Sequence, residues 1–111
     1  MHRFYKIDEK NNIDVNDIDE LLGNIVLIDI REEYEYKEGS IKTAKNIPMR
    51  ELLMYPDEYL DTNKKYYILC RSGVRSARTC IELREQGYDV VNVSGGVIEY
   101  RGNNTINKEN L

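Results

Sequence analysis

Ile25-Val26-Leu27-Ile28 is an unbroken apolar run, with no polar residue to mark a wet side. A strand with one face in water alternates, whereas a continuous run asks for cover on both faces, as in a parallel sheet between helices. It belongs to a β-rich run over 25–30, and four more β-rich runs stand out, over 3–7, 45–47, 66–69 and 90–93. Helix-compatible segments lie between them. Residues 14–22 open with acidic side chains and stop before Gly23, 31–37 end near Gly39, and 48–55 and 56–60 each begin with proline at a tolerated first turn. The longest helix is expected over 76–86, closing at Gly87. Alternation of strand and helix predicts an α/β sandwich on a mostly parallel sheet.

The chain has 111 residues, enough for one domain and a core that needs no staples. No repeat or linker divides it, so 1–111 reads as a single domain, with the polar, asparagine-rich stretch 102–111 as a loosely held tail. A net charge of −4 provides no basic footprint for nucleic acid or an anionic membrane. Met1 to Lys6 leads into no apolar run, and no stretch approaches a membrane span. The two cysteines, Cys70 and Cys80, are too few for a disulfide framework, so reduced thiols in a cytoplasmic setting are expected.

The chemistry concentrates where the run 66–69 ends. Cys70-Arg71-Ser72-Gly73-Val74-Arg75 falls between that strand and the longest helix, and ligands in open α/β sheets bind beyond the carboxyl ends of strands. Backbone N–H groups at a helix start lack intrahelical partners and favour an anion. A cysteine in that field, flanked by Arg71 and Arg75, is placed to act as a thiolate nucleophile. Gly73 permits the sharp bend that aims successive amides inward, and an arginine fork grips an oxyanion with paired bonds. An isolated cysteine here would read as inert core; strand end, glycine, arginines and helix start together point to a nucleophile in an anion cradle.

This loop resembles the active-site loop of the rhodanese-like sulfurtransferases. "VLIDIREEYEYKEGSIKTAKNIP" resembles the family's Asp-x-Arg segment and the Gly-His-Ile segment after it, and "LREQGYDVVNVSGGVIEY" resembles the strand and glycine pair that close the fold. The resemblance implies a three-layer sandwich with a mostly parallel five-stranded sheet and helices on both faces. It implies transfer of sulfane sulfur from thiosulfate or a persulfide donor to cyanide or a thiol, through a persulfide on Cys70. The amides of Arg71, Ser72, Gly73, Val74 and Arg75 would cradle the sulfur, Arg75 would hold the anionic donor, and Arg71 would recruit it at the mouth. No metal or organic cofactor is implied; the partners are a small anionic sulfur donor and a thiol or cyanide acceptor, a sulfur-accepting protein included. Ser40 stands where members often carry histidine, and Tyr100 where tryptophan often follows the glycine pair. Two other readings compete. Cell-cycle phosphatases and arsenate reductases use a similar loop one residue longer, and a non-catalytic binding module of the same fold would commonly lack the cysteine.

Other candidates have plainer readings. Asp29 is expected to be structural, and Arg31 is divided between anion binding and scaffold. Ala77, Cys80, Ile81 and Leu83 form an apolar helix side, which makes Cys80 core rather than a resolving thiol. His2, the only histidine, supports no catalytic or zinc role. Glu32, Glu33, Glu35 and Glu38 read as a solvated helix face, Arg78 as solvent-facing, Ser94-Gly95-Gly96 as a tight turn, and the nine tyrosines as half-buried packing.

Overall fold

A computed structural model describes residues 9–106. In chain order the elements are Asn12–Asp14 (β1), Val26–Asp29 (β2), Glu33–Glu38 (α1), Ser40–Ile41 (β3) and Lys45–Asn46 (β4). Met49–Met54 (α2), Pro56–Tyr59 (α3), Lys65–Leu69 (β5), Val74–Glu85 (α4), Asp89–Ser94 (β6), Gly96–Glu99 (α5) and Thr105–Ile106 (β7) complete it. Five strands form one sheet in the order β1-β6-β5-β2-β4, and every pairing in it is parallel.

The apolar runs behave as expected of doubly covered strands. Ile28, Tyr66, Ile68 and Val90 face a core with Leu52 of α2, Leu60, and Cys80 and Leu83 of α4. Leu27, Leu69 and Val93 face a second core with Val15, Ile18, Ile41 and Ala44, against which Tyr36 of α1 and Val97 of α5 pack. Neighbouring residues of one strand therefore serve opposite cores, and neither face can be polar. Each buried Leu, Ile or Val contributes about 1.5–3 kcal/mol of transfer free energy, more than β-propensity differences of about 1 kcal/mol, so burial decides the strands.

The structure departs from the sequence reading at several points. The run 3–7 lies outside the described residues, and the edge strand is β1, which no sequence reading covered and which ends on Asp14, where a helix was expected to begin. Asn12 and Asp14 are poor strand formers, but β6 offers an open edge. Asn12 Nδ2 donates to Ser94 Oγ at 3.2 Å and Asn92 Nδ2 donates to Asn12 Oδ1 at 3.1 Å. The expected helix over 14–22 is two 3-10 turns, Val15–Asp17 and Asp19–Leu21, which seat Val15 and Ile18 in the core. The longest helix starts at Val74 rather than at residue 76, and Ile81 on it is exposed. Within the stretch expected to be loosely held, β7 pairs antiparallel with β3, Ser40 opposite Ile106; residues 107–111 lie outside the described range. No helix among the described residues is long and apolar enough to cross a membrane.

Candidate active site

Asp29 of β2 and Leu69 of β5 are register partners, as are Ile68 and Asn92 of β6. The segments leaving these strands, 30–32, 70–73 and 94–96, therefore meet at one carboxyl edge of the sheet. Cys70 follows β5 directly and is fully buried. Its Sγ accepts from the amides of Gly73 at 3.1 Å and Ser76 at 3.3 Å, and the thiol donates to Ser76 Oγ at 3.3 Å. A hydroxyl rotor can reverse the last bond and donate once the sulfur is an anion.

Two glycines make this cradle possible. Gly73 is the α4 N-cap with φ 96°, and a Cβ there would sit 2.9 Å from the Gly95 amide nitrogen. That left-handed residue starts the helix early, placing Val74, Arg75 and Ser76 in a first turn whose amides have no intrahelical acceptor. Gly96, with φ 64°, lies against the loop, and a Cβ there would run into the Arg71 carbonyl. Val97 N donates to Cys70 O and Ile98 N to Arg71 O, each at 2.9 Å. Both carbonyls of the loop are thereby satisfied by the chain that wraps it. Of Ser94-Gly95-Gly96, expected to be a tight turn, only Gly95 is the turn, between the end of β6 and the start of α5, and this junction also seats the cysteine loop.

The charged residues divide into three groups. Arg71, Ser72 and Val74 are exposed, and the Arg71 side chain makes no ion pair among the described residues. Arg75 is half-buried and donates through Nη1 and Nη2 to the two Glu35 oxygens, both at 3.3 Å. Glu35 is thus not part of a merely solvated face. Burial works to raise its carboxyl, but the Arg75 bond, the Glu32 amide and the charges of Arg75 and Arg31 outweigh that and hold it below the ordinary value. The same bond from Glu35 keeps the Arg75 guanidinium protonated beyond its ordinary value, with burial opposing.

Arg31 is buried behind the loop. Its Nε donates to Asp29 Oδ1 at 3.0 Å, and its Nη2 reaches Asp29 Oδ2 at 2.8 Å and the Gly39 carbonyl at 2.6 Å. Ser40 Oγ donates to the same Asp29 Oδ2 at 2.7 Å. Of the two roles open to Arg31, this geometry favours scaffold. Tyr100 packs against the second core and donates to Asp19 Oδ1 at 2.6 Å. Cys80 lies in apolar surroundings that push its thiol up to about 12. Three participants escaped the sequence reading: Ser76, Glu35 and the Gly96–Ile98 wrap. Ser76 could have been found by shifting the helix start to the residue after Gly73; the Glu35 pairing carries no local signal.

A family model described as the rhodanese-like domain matches residues 11–103. The putative sulfurtransferase YtwF of Bacillus subtilis is 44% identical over 80 residues, spanning 70% of this chain and 75% of the relative. A sulfurtransferase of Allochromatium vinosum is 34% identical over 94 residues, spanning 81% of this chain and 87% of the relative. The crystal structure of a rhodanese-like domain protein from Staphylococcus aureus superposes with a TM-score of 0.75 at 32% identity, covering 88% of this chain and 98% of that one. A rhodanese-related protein of Thermoplasma volcanium gives 0.77 at 32% identity, over 86% and 97%. Because the matched span carries the Asp29 network, the Cys70 cradle and the glycine wrap together, the chain belongs to the rhodanese-like domain family.

Proposed function

We propose that this protein is a sulfurtransferase that carries sulfane sulfur on Cys70. The Cys70 thiolate attacks the outer sulfur of thiosulfate; the S–S bond breaks, its electron pair leaves with sulfite, and Cys70 holds a persulfide anion. A persulfide donor reacts the same way and releases a thiolate. Cyanide or a thiolate acceptor then takes the outer sulfur and returns the Cys70 thiolate. The observation that carries this reading is the cradle: two amides and one hydroxyl converge on Sγ within 3.3 Å. The amides of Arg71, Ser72, Gly73, Val74 and Arg75 would hold the added sulfur, Arg71 would recruit the donor at the mouth, and Arg75 would steady it.

A phosphatase or arsenate reductase would need room for a whole tetrahedral oxyanion. Here the Ser76 amide, just beyond the loop, already reaches Sγ, which suits one added sulfur atom. Intact-mass measurement after mixing with thiosulfate tests the proposal. A gain of one sulfur atom, removed by cyanide with thiocyanate released and absent in Cys70→Ser, is the expected result. Release of nitrophenol from its phosphate ester, lost in Cys70→Ser, would replace it with the phosphatase reading.

A further inference from the structure

Arg75 is the cation expected to steady an anionic donor, yet it already holds an anion. The Glu35 carboxylate accepts from both of its terminal nitrogens and is itself fixed, because Glu35 Oε1 also accepts from the Glu32 amide at 2.9 Å in a capping box at the start of α1. The Glu35 and Arg75 side chains are only 18% and 35% exposed, so water screens the pair incompletely. An incoming donor therefore meets Arg71 as the loop's unpaired positive charge, with that of Arg75 largely cancelled.

Resting on the sulfur-transfer reading of the same loop, we propose that Glu35 is a positioning residue that sets the charge class of the donor. By holding and neutralising Arg75, it favours singly charged sulfane-sulfur donors, such as organic persulfides and thiosulfonates, over dianionic thiosulfate. The two classes deliver the same atom. With benzenethiosulfonate, a monoanion, the Cys70 thiolate takes the outer sulfur and the S–S electron pair leaves with benzenesulfinate; with thiosulfate it leaves with sulfite. Donor and leaving group each differ by a single unit of charge, so the ratio of their rates reads the field at the loop.

Glu35→Gln removes the charge and keeps the oxygen that accepts from the Glu32 amide, since glutamine also completes a capping box. At low salt the ratio of kcat/KM for thiosulfate to that for benzenethiosulfonate should rise about three- to tenfold in this variant, as expected for a lost charge a few ångströms away in a partly screened site. The rise should shrink at high salt. Glu35→Ala should move the ratio in the same direction. A ratio that stays constant or falls in both variants would overturn the proposal, because a purely structural Glu35 changes both donors alike. Alkylation of Cys70, read by peptide mass, judges Glu35 without sulfur transfer: iodoacetate, an anion, should gain on neutral iodoacetamide in Glu35→Gln. If neither donor adds sulfur to Cys70, the sulfur-transfer reading fails, while a raised alkylation ratio still supports Glu35 as the charge filter and an unchanged one refutes it.

Discussion

Cys70 and Cys80 are both free, both without exposed surface, and both members of the same core cluster. Their surroundings differ in one respect. Cys80 sits on the buried side of α4, and burial raises its thiol to about 12, with Arg84 opposing and Cys70 adding to the rise. Cys70, at the end of β5, is met by the Gly73 and Ser76 amides and the Ser76 hydroxyl. Burial alone therefore does not decide what a thiol does. Hydrogen-bond donors aimed at the sulfur replace the water that burial removes, and in their absence the charged form is penalised.

The sharpest way to break this contrast is to exchange the sulfur. Cys70→Ser should abolish thiocyanate formation from thiosulfate and cyanide, while Cys80→Ala retains most of it; turnover by Cys70→Ser would end the assignment. Next comes charge at the loop. Arg75→Ala should lower kcat/KM for thiosulfate by about one to two orders of magnitude, because it removes the cation and leaves the Glu35 carboxylate unpaired at the loop, a change of about 1.5–3 kcal/mol. Exposed Arg78 on α4 is the control, and Arg78→Ala should leave the rate near wild type. The loss in Arg75→Ala includes the harm of an unpaired Glu35, so adding Glu35→Gln should recover part of it. Equal behaviour of the two arginine variants would leave the cradle to backbone amides alone.

Ser76→Ala removes one partner of Sγ and keeps the Ser76 amide. A neutral hydrogen bond of about 0.5–1.5 kcal/mol predicts a two- to tenfold slower single-turnover persulfide formation. The last effect belongs to Cys80 and appears only in alkali. Its folded value lies above its ordinary value of 9.0, so the unfolded chain loses this proton first. The stability Cys80 contributes is whole below that ordinary value and falls as pH rises towards about 12, with a limiting slope of about 1.4 kcal/mol per pH unit. Denaturant titrations of wild type and Cys80→Ala across that range should show a flatter alkaline decline in the variant. Identical slopes would mean that Cys80 is not held as a thiol.

Much of the fold was legible because its signals are local. The runs at 25–30, 66–69 and 90–93 carry their own burial requirement, and Gly39 and Gly87 mark where helices stop. The candidate nucleophile loop was legible for the same reason: Cys70, Gly73 and the arginines are close neighbours in sequence at a strand-to-helix junction. The start of α4 was misplaced because Ser72, Gly73 and Ser76 are all acceptable caps by sequence, and the fold chose Gly73. Gly73 adopts its left-handed conformation against Gly95, which the fold brings to within 2.9 Å of its missing Cβ.

What the sequence by itself determined was the alternation of buried strands with helices, the position of the cysteine loop and the family to which both belong. Tertiary structure alone decided that Asn12–Asp14 would close the sheet edge, that Ser76 would touch the sulfur and that Glu35 would hold Arg75 across 40 residues of chain. The physical reason is range. Propensity, capping and hydrophobic period act between neighbours along the chain and leave a readable pattern. An ion pair between α1 and α4, or an asparagine bond between β1 and β6, exists only once register and packing have brought distant residues together, and no local pattern announces it.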